Sequence, residues 1–183
     1  PATDWVAGKN NGALDFDGVN DYVNTASINF PLSGNFSVTS WVKPISFGTG
    51  RMSIFSQSNN NNYFELEIGT FSSYINTVLV ASLNNIAIAA GPNNSISLGQ
   101  WQHITYVKNP DGTNKIYING SSQPLQLDVT NGFSSGTSNK QIGQRGNDSQ
   151  FFNGSIDDVR IYNYALSAEQ VKQIYNNGAV NFK

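Results

Sequence analysis

The sequence has no cysteine, few charged residues and a single histidine. The lack of cysteine excludes disulfide bonds and thiol chemistry, but it does not indicate a cellular compartment. Ten basic and twelve acidic residues give a net charge of −2, and the Lys and Arg residues are scattered. A protein that binds nucleic acid would be expected to show a basic patch, and binding to an anionic membrane would need a run of basic residues. Neither partner is therefore expected.

Long apolar segments are also missing. No stretch approaches the roughly 18–20 residues of a membrane-spanning helix, and no signal peptide is visible, so membrane insertion is not expected. The chain is instead rich in Asn, Ser, Thr and Gly, and 12% of its residues are aromatic. Turn formers combined with strand formers are typical of an all-β protein. At 183 residues, the chain is expected to form one domain, residues 1–183, of a longer protein.

Alternation of apolar and polar residues predicts about a dozen short strands. In one of them Leu66 would face the core, while Glu65 and Glu67 would lie on the opposite, solvated or ligand-binding face. Residues 109–112 predict a hairpin turn, and Asn119-Gly120 predicts a type I′ turn. The spacing of strands and turns indicates a two-sheet antiparallel β-sandwich or jelly roll.

The chain is expected to end in a strand followed by a short helix. Strict alternation over residues 154–162 would place the carboxylates of Asp157 and Asp158 on opposite faces of the strand. Ser167 followed by Gln170 matches a capping box, which predicts where the helix begins.

Several short motifs carry a family resemblance. In chain order they are Trp5-Val-Ala-Gly-Lys, Gly12-Ala-Leu-Asp-Phe-Asp-Gly, Phe36-Ser-Val-Thr-Ser-Trp-Val-Lys-Pro44, Gly99-Gln-Trp-Gln-His-Ile-Thr105, Ile116-Tyr-Ile-Asn-Gly120, Ile142-Gly143 and Phe152-Asn-Gly-Ser-Ile-Asp-Asp-Val-Arg-Ile-Tyr162. This order resembles the laminin-G-like, concanavalin A-like lectin/glucanase domains of bacterial extracellular proteins. The resemblance implies a jelly-roll sandwich with a short C-terminal helix. It also implies a bacterial, secreted or cell-surface location with flanking domains in the parent protein.

Residues 17–21 are the main candidate for a metal site. Carboxylate, amide and backbone oxygens suit Ca²⁺, whereas the absence of cysteine and the single histidine argue against Zn²⁺. The resemblance implies that Asp157 lies beside this loop and completes a structural calcium site with Asp17, Asn20 and Asp21. The alternative is that Asp17 and Asp21 form Asx-turns and that Asp157 accepts hydrogen bonds from backbone amides.

Aromatic rings next to polar side chains are candidates for glycan binding. A ring face stacks on the C–H groups of a sugar, while amides and charged groups bind its hydroxyls. Phe71 and Tyr74 flank a Ser-Ser turn, so exposure of at least one ring is expected; alternatively, some of these rings belong to the core. The candidate ligand-binding residues are Tyr63, Glu65, Phe71, Tyr74, Arg145 and Asn147.

Glu65 and Glu67 also raise the question of catalysis. Retaining glycosidases need two carboxyl groups about 5–5.5 Å apart, and neighbouring positions on one strand face are in that range. Glucanases of this superfamily use a longer Glu-x-Asp-x-Glu pattern, which this strand lacks. His103 has no visible catalytic partner and is expected to be structural.

The expected function is therefore a non-catalytic module that binds a glycan or another cell-surface ligand and is stabilised by calcium. A protein-interaction or architectural spacer domain is the first alternative. A glycan hydrolase or lyase that uses Glu65 and Glu67 is the second.

Overall fold

The computed structural model describes residues 4–25, 34–47, 50–57, 64–82, 86–130, 140–145 and 150–176. Within these ranges the chain forms fourteen strands and one helix. The strands are β1 (Asp4–Ala7), β2 (Gly12–Asp17), β3 (Val23–Thr25), β4 (Phe36–Pro44), β5 (Arg51–Gln57), β6 (Phe64–Phe71), β7 (Tyr74–Ser82), β8 (Ile86–Ala90), β9 (Gln102–Lys108), β10 (Asn114–Ile118), β11 (Ser121–Ser122), β12 (Leu127–Asp128), β13 (Lys140–Ile142) and β14 (Asn153–Tyr162). The helix, α1, spans Ala168–Tyr175.

The strands form two antiparallel sheets of seven strands each. Sheet 1 has the order β1-β2-β14-β4-β9-β10-β11, and sheet 2 has the order β12-β8-β7-β6-β5-β13-β3. The predicted turns at residues 109–112 and at Asn119-Gly120 connect β9 to β10 and β10 to β11, and both residues of the second turn have positive φ. The prediction of an antiparallel jelly-roll sandwich is confirmed.

Aromatic rings join the two sheets in the core. Phe36 and Tyr106 come from sheet 1, and Phe64 comes from sheet 2. The Phe36 and Phe64 ring centroids lie 5.1 Å apart in an edge-to-face arrangement, and those of Phe64 and Tyr106 lie 5.4 Å apart. Leu66 belongs to the same cluster, so the predicted core face of β6 is confirmed. The opposite face of β6, which carries its two glutamates, therefore lies on the outside of sheet 2.

Helix α1 packs on the outer face of sheet 1. The predicted capping box is present: Gln170 N donates to Ser167 Oγ at 3.3 Å, and Ser167 N donates to Gln170 Oε1 at 2.9 Å. Leu166 and Val171 are buried against Val107 of the sheet. No helix in the described ranges is long and apolar enough to cross a membrane.

The last strand does not alternate regularly. Its register with β4 shifts between Asp157 and Arg160, and Asp158 has a φ of +51°. Ile156 and Val159 both contact the core as a result, so the two aspartates between them lie on the outer face of sheet 1. The prediction that Asp157 and Asp158 lie on opposite faces is wrong, because it assumed an unbroken two-residue period and a bulge adds one residue.

The loop after β13 depends on a glycine. Gly143 has a φ of +80°, and a Cβ on this residue would lie 2.3 Å from Cε1 of the buried Phe16 ring. Gly143→Ala is expected to lower the free energy of unfolding by about 2–5 kcal/mol. Roughly 1–3 kcal/mol comes from overpacking and about 1–2 kcal/mol from the left-handed backbone.

Gly99→Ala is the matched control for this substitution. Gly99 also has a positive φ, +71°, but an added Cβ there meets no heavy atom within 4 Å among the described residues. The control should therefore cost only the backbone contribution of about 1–2 kcal/mol. Urea unfolding of both variants measures the difference, and equal losses would contradict the clash with Phe16.

Candidate functional site

The outer face of sheet 2 carries a cluster of four charged side chains. Arg145 Nε lies 2.6 Å from Glu65 Oε1, and Arg51 Nη1 lies 3.0 Å from Glu67 Oε2. All four side chains are less than a tenth exposed; Glu65 is 2% and Glu67 0% exposed. We call these residues the charged cluster. The expectation that the face carrying the two glutamates is solvated is therefore wrong, although the side chains do point away from the core.

Residues 143–145, directly after β13, are held on sheet 2 next to this cluster. Gly143 N donates to Ile54 O at 3.1 Å, and Ser56 Oγ donates to Gln144 O at 2.8 Å. These bonds fix the chain directly after β13 onto β5. Arg145 is the next residue, so its guanidinium is brought over Glu65 on the neighbouring strand β6.

Glu67 is the most strongly perturbed acid of the cluster. With its amide oriented to satisfy both neighbours, Gln150 donates to Glu67 Oε1 at 2.7 Å and accepts from Arg51 Nη2 at 3.1 Å. Burial, followed by repulsion from the Glu65 carboxylate, raises the pKa of Glu67 to about 8, against the opposing effect of Arg51 and Arg145. The protonated form of Glu67 is thus favoured well above the pH at which an exposed glutamate ionises.

Polar and aromatic groups extend the cluster in both directions across sheet 2. Towards one edge, Gln141 Nε2 donates to Asn24 Oδ1 at 3.0 Å. Towards the β6–β7 hairpin, the Arg51 guanidinium lies 4.4 Å from the centre of the Phe71 ring. Phe71 is the register partner of Tyr74, and both rings are partly exposed.

The structure brings part of the predicted ligand-binding set together. Glu65 and Arg145 form an ion pair, and Phe71 and Tyr74 pair at the hairpin that ends β6. Tyr63 and Asn147 lie outside the described residues. Sequence reasoning missed two members of this surface, Arg51 and Gln150. The signal for Arg51 was the pair of glutamates on one strand face, since buried carboxylates require cationic partners.

Asp17 in the 17–21 loop forms an Asx-turn, which is the arrangement expected as the alternative to a metal site. Asp17 Oδ1 accepts from Val19 N at 2.7 Å and from Asn20 N at 3.2 Å, and Asp21 Oδ2 accepts from Asp17 N at 3.1 Å. The amides of Val19 and Asn20 lower the pKa of Asp17. Among the described residues, no group of three or more His, Asp or Glu side chains is arranged to hold a metal ion.

Asp157 is not beside this loop. β14 pairs with β2 so that Asn153 lies opposite Asp17, which puts Asp157 four residues, or about 13 Å, further along the strand. Its Oδ2 accepts from Asn10 N at 2.7 Å, while Asp158 Oδ2 accepts from Asn10 Nδ2 at 3.0 Å. The implied role of Asp157 in a shared metal site is therefore wrong; it accepts a backbone amide instead. Calcium binding by the loop itself stays a prediction.

Asn153 is a residue of this region that sequence reasoning missed. It lies opposite Asp17, and Gly18 packs so closely on it that an added Cβ would be 2.8 Å from Asn153 Cβ. Its Oδ1 is buried and has no hydrogen-bond partner among the residues that the structure describes. An amide oxygen therefore adjoins the loop where Asp157 was expected to supply a carboxylate.

Replacing Arg145 tests how much the charged cluster contributes to the free energy of unfolding. Arg145→Met is expected to lower the free energy of unfolding by about 3–5 kcal/mol at pH 7, because Glu65 stays buried after losing its arginine. Arg160→Met is the matched control. Arg160 Nε lies 2.7 Å from Asp158 Oδ1, but the Arg160 side chain is 48% exposed, so its loss should cost about 1 kcal/mol or less. Urea unfolding compares the two, and similar losses would show that the cluster does not hold the loop.

Solved structures share this fold. Domain 4 of AbnA, an extracellular GH43 arabinanase from Geobacillus stearothermophilus solved in complex with arabinotriose, matches with a TM-score of 0.76 and 23% identity over 96% of this chain and 82% of that chain. The binding domain of Paraclostridial Mosquitocidal Protein 1 matches with a TM-score of 0.72 and 19% identity over 96% of this chain and 45% of that chain. Identities this low establish the fold and no more.

Sequence comparison identifies the family. The adhesion G-protein coupled receptor V1 of Danio rerio is 24% identical over 150 residues, which are 79% of this chain. The chain spans only 2% of that receptor's length. The family model for the concanavalin A-like lectin/glucanases superfamily, of the laminin G type, matches residues 17–172. The chain therefore belongs to the concanavalin A-like lectin/glucanases superfamily, as its ordered motifs indicate.

Proposed function

We propose that this protein is a non-catalytic carbohydrate-binding or adhesion module of a secreted or cell-surface protein. The observation that carries the proposal is the charged cluster fixed on the outer face of sheet 2, with the partly exposed rings of Phe71 and Tyr74 at one end. Glycan sites combine a preformed surface, a few fixed polar groups and aromatic faces. The family match supports this proposal, and so does the likeness to an arabinanase domain solved with arabinotriose.

The mechanism we propose depends on preorganisation. Ion pairing with Glu65 fixes Arg145 and its loop, and contacts with Glu67 and Phe71 fix Arg51. Groups that are already ordered lose little conformational entropy when a ligand binds. The rings would stack on the C–H face of a sugar, and polar groups of the adjoining loop would bind its hydroxyls.

The burial of the two glutamates and their pairing with arginines support a binding role rather than a hydrolase or lyase activity. A general acid or nucleophile must reach the sugar, and a retaining mechanism needs two such carboxyl groups. Glu65 and Glu67 are instead buried and paired with Arg145 and Arg51. The raised pKa of Glu67 follows first from burial, so it does not by itself indicate a catalytic acid.

Protein interaction is the second candidate function. The likeness to an adhesion receptor over 79% of this chain favours it. A domain of this kind would use the same outer face or its loops without recognising sugars. A measurement of glycan binding therefore distinguishes the two proposed functions.

We expect the protein to bind at least one member of a glycan array probed with calcium present. For that glycan, Phe71→Ala and Tyr74→Ala should each weaken binding roughly tenfold or more, because losing an aromatic anchor at a binding site costs about 1.4 kcal/mol or more. Tyr164→Ala is the control, since Tyr164 is 41% exposed and follows β14 on sheet 1. Isothermal titration gives the affinities. Failure to bind any glycan would favour the protein-interaction function.

We also propose that the 17–21 loop holds a structural calcium ion. The hydrogen bonds of the turn use Asp17 Oδ1 and Asp21 Oδ2, so the other carboxylate oxygen of each residue would be the one to bind the ion. The Asn20 side chain and the buried Oδ1 of Asn153 add amide oxygens. Ca²⁺ takes six to eight oxygen ligands, including carboxylates and amides. Such an ion would tie the end of β2 to the start of β14.

Calcium is expected to raise the thermal midpoint, because a ligand that binds only the native state stabilises it. Saturation at about 100 times the dissociation constant adds about 2.7 kcal/mol, and each kcal/mol raises the midpoint by about 2–4 °C for a domain of this size. Asp21→Asn should abolish the shift, whereas Asp157→Asn should retain it. Scanning calorimetry with calcium and with a chelator provides the test. An unchanged midpoint in the wild-type protein would refute the site.

A further inference from the structure

A second group of reactive side chains lies at one end of the core, away from the charged cluster. Lys108 on β9 and Asn114 on β10 are register partners in sheet 1. Lys108 is two residues from Tyr106 and Asn114 is two residues from Ile116, and both of these neighbours belong to the core. Strand residues two apart share a face, so Lys108 and Asn114 also face the space between the sheets. Lys108 is only 5% exposed and Asn114 only 3%. A lysine is seldom buried to this extent.

The carboxamide of Asn114 is held at both of its polar atoms. The Tyr106 hydroxyl donates to Asn114 Oδ1 at 2.6 Å. Asn114 Nδ2 donates to Asp128 Oδ1 at 2.6 Å and to Val129 O at 3.1 Å. Asp128 comes from β12, an edge strand of sheet 2. One hydroxyl thus polarises the amide carbonyl, and one carboxylate lies against the amide nitrogen.

Lys108 lies beside this amide, as the register partner of Asn114 on the neighbouring strand. Its Nζ donates to Gly112 O in the hairpin turn. Burial lowers the pKa of Lys108, although Asp128 and Asp111 oppose this shift, and a lowered pKa increases the fraction of neutral amine. The Cβ atoms of cross-strand partners are about 4.5–5.5 Å apart. A lysine side chain is long enough to bring Nζ to Asn114 Cγ across that distance.

We propose that Lys108 and Asn114 form an intramolecular isopeptide bond, with Asp128 as the proton carrier. The neutral amine of Lys108 attacks Asn114 Cγ, and the Tyr106 hydroxyl stabilises the oxyanion that develops on Oδ1. Asp128 takes one proton from the attacking nitrogen and transfers it to Nδ2. The Cγ–Nδ2 bond then breaks and ammonia leaves. The product is a secondary amide, and the reaction needs no oxidant, reductant or cofactor.

The same contacts could serve only as a hydrogen-bonded clasp between the hairpin and β12. The two possibilities differ in covalent mass, which does not depend on ligand binding or calcium. A test of the cross-link is therefore independent of the proposed glycan function.

Intact-mass spectrometry of the purified full chain provides the test. A cross-linked chain is lighter than its sequence mass by one ammonia. Trypsin then no longer cuts after Lys108, so Lys108 and Asn114 remain in one fragment. A wild-type mass equal to the sequence mass would overturn the proposal. Simple deamidation of Asn114, in which water replaces ammonia and cleavage after Lys108 persists, would overturn it as well.

Matched variants identify the participating residues. Lys108→Arg and Asp128→Asn are each expected to show the full mass of their sequences, with no loss of ammonia. Lys115→Arg is the control, because Lys115 is the exposed neighbour on β10 and should retain the ammonia loss. Circular dichroism verifies that each variant folds. If Lys108→Arg does not fold, Asp128→Asn still provides the test, because the change is isosteric and Asp128 is an exposed residue of an edge strand. A complete cross-link in Asp128→Asn would overturn the role of Asp128.

Discussion

The arrangement of sheet 2 depends on two carboxylates that are buried on its outer face. An ion removed from water without compensation costs several kcal/mol, so the ionised forms of Glu65 and Glu67 require cationic partners. These come from distant parts of the chain: Arg51 is 16 residues from Glu67, and Arg145 is 80 residues from Glu65. Gln144 must therefore lie on β5, and Arg145 over β6, before the cluster is neutralised. The cluster thus links the order of the strands to the position of the loop.

A second pair of acids shows how local geometry decides where carboxylates go. On β6, the Glu-x-Glu spacing puts both side chains on one face because strand side chains alternate. On β14, Asp157 and Asp158 are adjacent, and they share a face only because of the bulge. Both then bind Asn10, and Gly8 allows the close approach, since a Cβ there would lie 2.6 Å from Asp157 Oδ2. This pair fixes the β1–β2 turn and leaves the metal-binding role implied for Asp157 without support.

Features that depend on neighbouring residues were predictable from the sequence. The core face of β6, the type I′ turn at Asn119-Gly120 and the capping box at Ser167 each follow from a pattern of a few residues. The partner of Glu65 was not predictable, because the ion pair requires the order of strands in the sheet. The face shared by Asp157 and Asp158 was misjudged because a bulge has no signature in a single strand. The distance of Asp157 from the 17–21 loop depends on the register of β14 with β2, which the sequence of neither strand specifies. Arg145 was selected as a polar loop residue, whereas its structural role is to neutralise a buried acid.

The packing on the outer face of sheet 1 is another reason to look for the ligand-binding site on sheet 2. Trp41 and His103 lie on the outer face of sheet 1 and are 2% and 1% exposed. The Tyr175 ring at the end of α1 lies 5.4 Å from the Trp41 ring, and Lys9 Nζ lies 4.9 Å from it on the β1–β2 side. Burial lowers the pKa of His103 to about 4, so the ring is neutral near pH 7. The Trp41 ring is therefore covered, whereas the rings of Phe71 and Tyr74 on sheet 2 are partly exposed.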